Sequence, residues 1–191
     1  MKKNVILMGM LCLSIIVGCD NGGDEGDNDG ESSAVAPSST ATSTTASSST
    51  SPSTVTLNAF SDFSCTSGWT NRDGALGLRA GSGSGTCTAE FPGVSGSYSI
   101  QIKVQAERDG SPAYSLSING NTVQSGNYPY ACGSLMCNTP YEQCRDSNKM
   151  ISVGRFQVNN GDTIEFYGQE TYPCGSSHGA YAKWHQIILS P

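Results

Sequence analysis

The stretch "SYSIQIKVQAE" at residues 97–107 alternates apolar and polar side chains along its whole length. Serine, glutamine, lysine and glutamate side chains fall on one face. The other face carries only apolar side chains, those of Tyr98, Ile100, Ile102, Val104 and Ala106. Strict alternation is typical of a β-strand with one buried face. We therefore predict a strand here that covers one side of a hydrophobic core.

The neighbouring stretches repeat this pattern. "PAYSLSINGNTV" at residues 112–123 turns at Asn119-Gly120, a dipeptide that favours a β-hairpin. "MISVGRFQVNNGDTIEFYG" at residues 150–168 predicts another strand pair around its "NNGD" turn. No dozen residues of the domain show a helical apolar period. The predicted fold is all-β, a single antiparallel β-sandwich (jelly roll) over residues 55–191 with almost no helix.

Two lysines follow Met1 and precede the apolar run "NVILMGMLCLSIIVG" at residues 4–18. This run is shorter than the ~20 residues that cross a bilayer, and it is typical of a secretion signal. Gly18 precedes Cys19, so the run ends in a way that resembles the bacterial lipoprotein signal. We predict a signal peptide over residues 1–18 and lipidation of Cys19. An ordinary cleaved signal is the alternative.

Residues 19–54 have the composition of a linker. Residues 20–31 carry six acids and no base, and 16 of the 23 residues from 32 to 54 are Ser or Thr. Such sequences bury too little apolar surface to fold. We expect a disordered tether between the lipidated cysteine and the domain. The protein would then lie in the bacterial cell envelope, facing the periplasm or at the cell surface, with the lipid as its only contact with the membrane.

The charge of the predicted domain is nearly balanced. The whole chain has a net charge of -6, but residues 55–191 carry ten acids against eight bases. Their bases form no dense cluster in the sequence, which argues against nucleic acid as a partner. We expect a neutral or weakly charged partner outside the cytoplasm, and a monomeric protein.

Six cysteines fall within the predicted domain, an even number in an exported protein. We predict three disulfides among Cys65, Cys87, Cys132, Cys137, Cys144 and Cys174. The proposed pairs are Cys65–Cys87, Cys132–Cys137 and Cys144–Cys174, although spacing alone does not fix the connectivity. A zinc site is the competing interpretation, but the cysteines form no C-x-x-C pair and the chain has only two histidines.

Residues 91–123, "FPGVSGSYSIQIKVQAERDGSPAYSLSINGNTV", resemble the centre of β-sandwich carbohydrate-binding modules, particularly families 6 and 35. "VNNGDTIEF" and "GAYAKWHQIIL" resemble their later strand pair and closing strand. The resemblance implies a non-catalytic module that binds a polysaccharide or oligosaccharide. Those modules commonly hold structural calcium through paired glutamates, whereas this domain begins "TVTLNAFSDF". We therefore predict no cofactor, and structural calcium is doubtful.

Aromatic rings that lie against sugar rings, with polar side chains beside them, are the expected chemistry of such a site. Strict alternation along "AYAKWHQIIL" would put Lys183 and His185 on the same face as Ile187, and burying them without partners is costly. We therefore predict that the strand begins in the open. For Trp69, the sequence supports an exposed platform and a core position equally. The predicted ligand-binding residues are Trp184, Lys183, His185, Tyr181, Trp69, Asn71 and Arg72.

Three alternatives remain open from the residues. The loop from Tyr128 to Lys149, with Tyr130 and Tyr141, is a second candidate ligand face. A small polysaccharide-active enzyme, a glycoside hydrolase or lyase, would use a carboxylate pair, or the two histidines with Tyr181 or Lys183. A structural or adhesive surface lipoprotein would recognise protein. The carboxylates available to an enzyme are Asp62, Glu90, Glu107, Glu165 and Glu170.

Overall fold

The computed structural model describes residues 51–191. The predictions made for the signal peptide, for Cys19 and for the linker up to residue 50 lie outside the described residues. Within residues 51–191, eleven strands and one short 3-10 helix, Tyr141–Gln143, follow one another along the chain. The strands are β1 Val55–Asn58, β2 Ser64–Cys65, β3 Trp69–Arg72, β4 Ala75–Leu78, β5 Ser84–Glu90, β6 Gly96–Ala106, β7 Ala113–Ile118, β8 Asn121–Asn127, β9 Ser147–Val158, β10 Thr163–Gln169 and β11 Trp184–Ser190.

The strands form two antiparallel sheets. The six-stranded sheet has the order β3-β4-β11-β6-β9, and β1 also pairs with β11. The five-stranded sheet has the order β2-β5-β10-β7-β8. Apolar residues of both sheets belong to one buried cluster, so the sheets pack face to face as a sandwich. The predicted all-β sandwich fold is confirmed.

Strand β6 follows the predicted alternation. Its five apolar residues, Tyr98 to Ala106, are all buried, whereas Ser99 and Gln101 between them are exposed. The Asn119-Gly120 turn joins β7 to β8 as the predicted hairpin. Both turn residues have positive φ, 50° and 77°, which asparagine and glycine adopt with little strain.

The "NNGD" turn does not make the strand pair that its pattern predicts. Strand β9 pairs with β6 in one sheet, and β10 pairs with β5 and β7 in the other. Residues 159–162 therefore carry the chain across the sandwich. Asp162 accepts hydrogen bonds from the backbone N–H of Asn159, at 2.7 Å, and from the side chain of Asn119 in the β7–β8 turn, at 2.8 Å. A local turn signal does not specify which sheet receives the next strand.

A group of aromatic rings fills the core near the start of β11. Trp184 lies between Phe63 and Phe166, with ring centroids at 4.9 and 4.4 Å, and Trp69 lies 6.5 Å away. Glycines of the five-stranded sheet make room for Trp69. A Cβ atom at Gly85 would lie 2.4 Å from its indole nitrogen, and one at Gly168 would lie 2.9 Å from its ring.

Three disulfides staple the domain, as predicted. Cys65–Cys87 joins β2 to β5 and confirms the predicted pair. The other two predicted pairs are wrong, because the chain joins Cys132 to Cys144 and Cys137 to Cys174. Cys144 is buried with Ala131 and Ala106, so the β8–β9 loop closes on itself at its base. This arrangement leaves Cys137 to reach the β10–β11 loop.

No helix within the described part of the chain has the length and apolar character needed to cross a membrane.

Candidate functional site

Four chain segments at one end of the sandwich enclose a cleft of about 270 Å³, which we call the loop cleft. They are the β3–β4 turn and the β6–β7, β8–β9 and β10–β11 loops. Its charged lining residues are Arg72, Asp73, Glu107, Arg108, Asp109, Asp146 and Lys183. Its other lining residues are Tyr141, Ser177, His178, Gly179 and Tyr181.

The floor of the loop cleft is organised around one ammonium group. Lys183 Nζ lies 2.7 Å from Asp146 Oδ2, 3.0 Å from Glu107 Oε1 and 3.1 Å from Asp73 Oδ2. The three carboxylates come from the β8–β9 loop, the end of β6 and the β3–β4 turn. We call these four residues the lysine cluster. With Lys183 itself in the β10–β11 loop, the cluster joins all four segments that form the cleft.

The sequence makes room for Lys183 inside the protein. A Cβ atom at Gly77 in β4 would lie 2.8 Å from Lys183 Cγ, so glycine at this position admits the aliphatic stem. Lys183 and Glu107 are 2% and 3% exposed. Buried charges are expected only when they are paired and hydrogen-bonded, and the lysine cluster meets both conditions.

The lysine cluster changes charge near neutral pH. Burial raises the pKa of Glu107 to about 7, against the opposing effects of Lys183 and of the Tyr181 N–H group. Burial lowers the pKa of Lys183, but Glu107 and Asp146 outweigh it and raise that pKa overall. Lys183 therefore remains an ammonium across the neutral range, and Glu107 is the buried group that gains or loses a proton there.

Covalent and hydrogen bonds hold the rim of the loop cleft. The Cys137–Cys174 disulfide joins the β8–β9 loop to the β10–β11 loop. Arg108 in the β6–β7 loop donates a hydrogen bond to the carbonyl of Thr139 at 2.8 Å, and its own carbonyl accepts one from the N–H of Met136 at 2.9 Å. The cleft is thus largely preformed, as ligand sites usually are.

Two tyrosines of the loop cleft differ in how much of the ring is free. The guanidinium of Arg72 lies 3.6 Å from the centroid of Tyr181 and covers one face of that ring. Tyr141 is 47% exposed, and the guanidinium of Arg108 lies 5.2 Å from its centroid. Tyr141 therefore offers the open aromatic surface of the cleft.

A second, larger cleft of about 700 Å³ lies at the edge of the sandwich between β1 and β5. Carboxylate, hydroxyl and aliphatic groups line it, and none of these described residues is aromatic or basic. Its lining residues are Leu57, Asp62, Ser64, Thr88, Ala89, Glu90, Pro92 and Thr163. Because size alone does not make a ligand site, we place the candidate site at the loop cleft, where an aromatic ring stands beside polar groups of both charges.

Comparison with known proteins finds similar solved structures. The mannanase of Podospora anserina, which joins a GH26 part to a CBM35 part, is 19% identical, with a TM-score of 0.46 over 73% of this chain and 28% of that one. A CBM35 structure from Paenibacillus barcinonensis is 15% identical, with a TM-score of 0.44 over 72% of this chain and 98% of that one. The insecticidal crystal protein Cry2Aa is 15% identical, with a TM-score of 0.48 over 72% of this chain and 21% of that one.

No protein-family model matches the chain, and no curated protein matches it. This chain spans about a quarter of the mannanase and nearly the whole of the Paenibacillus module. At these identities and scores the likeness does not identify a ligand for this chain.

The prediction that Trp184 is exposed is wrong, since this residue is fully buried at 0% exposure. Strict alternation failed because the register between β11 and β6 shifts between Trp184 and Gln186. This irregularity lets Trp184 face the core together with Ile187 and Leu189, which alternation had assigned to the opposite face. Trp184 is a core residue of the sandwich.

The predicted group of Lys183, Trp184 and His185 divides among three environments. Lys183 was expected in the open and is buried, because three carboxylates supply the partners that its burial requires. His185 is half-buried, with Nε2 2.8 Å from Asn148 Oδ1. Burial and then Lys103 lower the pKa of His185. His185 does not line the loop cleft.

The other predicted ligand-binding residues also lie in different environments. Arg72 and Tyr181 both line the loop cleft, and their contact with a ligand stays a prediction. Trp69 packs between the sheets against Phe166, with centroids at 6.1 Å, which favours its core interpretation. Asn71 accepts a hydrogen bond from the N–H of Gly74 at 3.1 Å and stabilises the β3–β4 turn. It does not line the cleft.

Sequence reasoning missed several residues that line the cleft. Arg108 and Asp109 lie in a loop without a recognisable motif, and nothing in the spacing signals that they meet the other lining residues. His178, one of the two histidines considered for an enzyme, lines the same cleft as Tyr181 and Lys183. Tyr141 belongs to the second candidate ligand face named from the sequence, because three cysteines in the surrounding loop indicated an ordered segment. Of the three tyrosines of that loop, Tyr128 is buried and Tyr141 is exposed.

The expectation of no cofactor, with structural calcium doubtful, stays a prediction. At the start of the domain, Asn58 donates hydrogen bonds from its backbone N–H and its side-chain amide to Asp62 Oδ2, at 2.7 and 3.4 Å. Among residues 51–191, no group of three or more His, Cys, Asp or Glu side chains is arranged to hold a metal ion. In the lysine cluster, the ammonium of Lys183 lies between the carboxylates.

Proposed function

We propose that the domain binds a carbohydrate in the loop cleft, either a polysaccharide or an oligosaccharide, without catalysing a reaction. The observation that supports this function is the open ring of Tyr141 at the rim of a preformed cleft lined by charged and hydroxyl groups. A tyrosine ring covers the apolar face of a sugar, and polar side chains beside it bind the hydroxyls.

The size of the loop cleft supports a short recognition unit. Its volume of about 270 Å³ lies just below the ~300–1,000 Å³ of pockets for drug-sized molecules. One or two sugar rings fit such a space better than a long chain segment. Arg108, Asp109, Ser177 and His178 supply donors and acceptors for the hydroxyls of such a unit.

The lysine cluster argues against catalysis by its own members. A general acid or base must reach the proton that it transfers. Glu107 has both carboxylate oxygens occupied, Oε1 by Lys183 and Oε2 by the backbone N–H of Tyr181. The side chains of Lys183 and Glu107 are only 3% and 4% exposed. These groups therefore shape the cleft and do not react in it.

The proposal also covers where in the cell the domain lies. Three disulfides are typical of a protein outside the reducing cytoplasm. We infer that Cys19 carries a lipid and that residues 20–54 tether the domain to the envelope. Radiolabelled palmitate should enter the wild-type protein in bacterial cells and not the Cys19→Ser variant, and equal labelling would contradict the anchor.

The binding function is tested with the purified protein on a glycan array and on affinity gels that contain single polysaccharides. Tyr141→Ala should weaken retention by on the order of 1 to 3 kcal/mol, roughly five- to 150-fold, because the ring is the aromatic anchor. It should cost little stability, since Tyr141 is 47% exposed. The matched control is Tyr167→Ala on the outer side of β10, because Tyr167 does not line the loop cleft.

Each outcome of this test has a defined meaning. Equal retention of Tyr141→Ala and wild type would place the ligand outside the loop cleft. A loss confined to Tyr167→Ala would move the site to the outer side of β10. Release of reducing ends from a retained polysaccharide would contradict the non-catalytic part of the proposal.

A further inference from the structure

Glu107 lies where the walls of the loop cleft meet. Both oxygens of its carboxylate already have partners, so a ligand can bind the carboxylate only by breaking one of these interactions. Glu107 follows the last residue of β6 and is 3% exposed. Oε2 accepts a hydrogen bond from the backbone N–H of Tyr181 at 2.6 Å, and Oε1 lies 3.0 Å from Lys183 Nζ. One carboxylate thus fixes the backbone of Tyr181 and the side chain of Lys183.

Tyr181 is held from its other side by the six-stranded sheet. Its carbonyl accepts a hydrogen bond from the N–H of Leu78 in β4 at 2.7 Å. Its ring lies beneath the guanidinium of Arg72 in β3. The position of this wall therefore depends on two backbone bonds, and the bond to Glu107 is the charge-assisted one, which makes it the stronger when the carboxylate is ionised.

Through Lys183, the charge of Glu107 also affects two other walls of the loop cleft. Its ammonium also contacts Asp73 in the β3–β4 turn and Asp146 at the end of the β8–β9 loop. When Glu107 takes up a proton, the ammonium keeps two carboxylates and loses the third, and the acceptor of the Tyr181 N–H becomes neutral. Both changes loosen the floor of the cleft.

We propose that Glu107 is a positioning residue, whose ionised carboxylate holds the loop cleft in its binding geometry and makes ligand binding depend on pH in the neutral range. This inference rests on the proposed function, because it concerns the same cleft. It assigns Glu107 an effect through Tyr181 and Lys183 and no contact with the ligand.

The charged and titratable groups around Glu107 agree with such a role. Lys183 faces it from the segment before β11, Asp146 from the β8–β9 loop and Asp73 through Lys183 from the β3–β4 turn. The phenol of Tyr128, which follows β8, is a further titratable neighbour, whose pKa is raised by burial and then by the charge of Glu107. Burial raises the pKa of Glu107 to about 7, so its charge changes within the range in which the domain would work.

The expected size of the effect follows from the populations. With a pKa of about 7, roughly one tenth of Glu107 is ionised at about pH 6 and roughly nine tenths at about pH 8. If only the ionised form holds the binding geometry, the apparent affinity falls in proportion to its fraction. Binding should weaken roughly tenfold between about pH 8 and about pH 6.

The first measurement needs no ligand. In ¹⁵N NMR spectra of the purified protein, the amide of Tyr181 should shift with a midpoint near the pKa of Glu107, about 7. The shift should vanish in Glu107→Gln, which keeps the shape and an acceptor but has no charge. An amide of Tyr181 that does not titrate in the wild type would overturn the inference, whatever the cleft binds.

The second measurement is retention on affinity gels containing soluble mannan, xylan or laminarin, at about pH 6 and about pH 8. Wild type should show the roughly tenfold loss, and Glu107→Gln should retain the polysaccharide weakly and equally at both pH values. His185→Asn is the control, because histidine is the other side chain that commonly changes charge near this range and His185 does not line the loop cleft. It should keep the wild-type profile.

The two proposals fail in different ways. Retention that is independent of pH in the wild type, or that has the same pH slope in wild type and Glu107→Gln, overturns the positioning role and leaves carbohydrate binding standing. A slope abolished by His185→Asn also overturns it. No retention of any glycan, on the array or on the gels, at either pH overturns the proposed function and the pH-dependent binding with it.

Discussion

The Glu107→Gln variant should remove a pH dependence from the stability of the domain. The pKa of Glu107 rises from its ordinary value of 4.5 to about 7 in the folded protein, because its burial outweighs the attraction of Lys183. Between these two pH values the folded state binds more protons than the unfolded state. The stabilisation from this group is therefore complete below pH 4.5 and is lost as pH rises through 7.

The magnitude follows from the same pair of values. At about 1.36 kcal/mol per pH unit, the difference corresponds to ~3 kcal/mol of unfolding free energy. Urea unfolding of wild type and Glu107→Gln between about pH 4 and about pH 8 measures it, since other titrating groups cancel in the difference. The advantage of wild type over the variant should shrink by ~3 kcal/mol as pH rises. A difference that stays constant, or that grows with pH, would refute the reasoning.

Two further variants test the core and the lysine cluster by urea unfolding. Trp184→Ala should lower the unfolding free energy by ~3 to 5 kcal/mol through the cavity it leaves, whereas Trp184→Phe should cost less because it keeps an aromatic ring against Phe166; an unchanged midpoint for the alanine variant would contradict the core position. Lys183→Met should cost ~3 to 5 kcal/mol at about pH 8, where three carboxylates lose their counter-ion, and less at about pH 5, where Glu107 is neutral. Equal costs at both pH values would count against the cluster.

The sequence was informative wherever one strand has one buried face. Alternation in β6 and the Asn119-Gly120 hairpin both depend on local geometry, and both predictions hold. The crossing of residues 159–162 from one sheet to the other depends on how the sheets stack. The sequence of a four-residue turn does not determine that stacking. The same limit explains the cysteines, since the order of four cysteines in two loops is compatible with several pairings.

The errors at the end of the chain have one physical origin. A single irregularity at His185 changes the face of every preceding residue relative to Ile187. Applied across this irregularity, strict alternation places Lys183 on the core side. Because an unpaired buried charge is costly, the prediction from the sequence is then that Lys183 lies in solvent. In the structure Lys183 is buried after all, because Asp73, Glu107 and Asp146 converge on it from distant parts of the chain. A rule about single strands cannot supply partners from other strands.

The lysine cluster connects the stability of the sandwich to the shape of its cleft. Apolar side chains of similar volume would often make such a buried site at least as stable, because burying charges costs more than their attraction returns unless geometry is good. Lys183 and Glu107 instead make contacts in fixed directions, with atoms of the β3–β4 turn, the β8–β9 loop and the segment before β11. Apolar contacts have no such directions. The cluster therefore specifies where the loops lie relative to one another, in the same cleft that the exposed ring of Tyr141 lines.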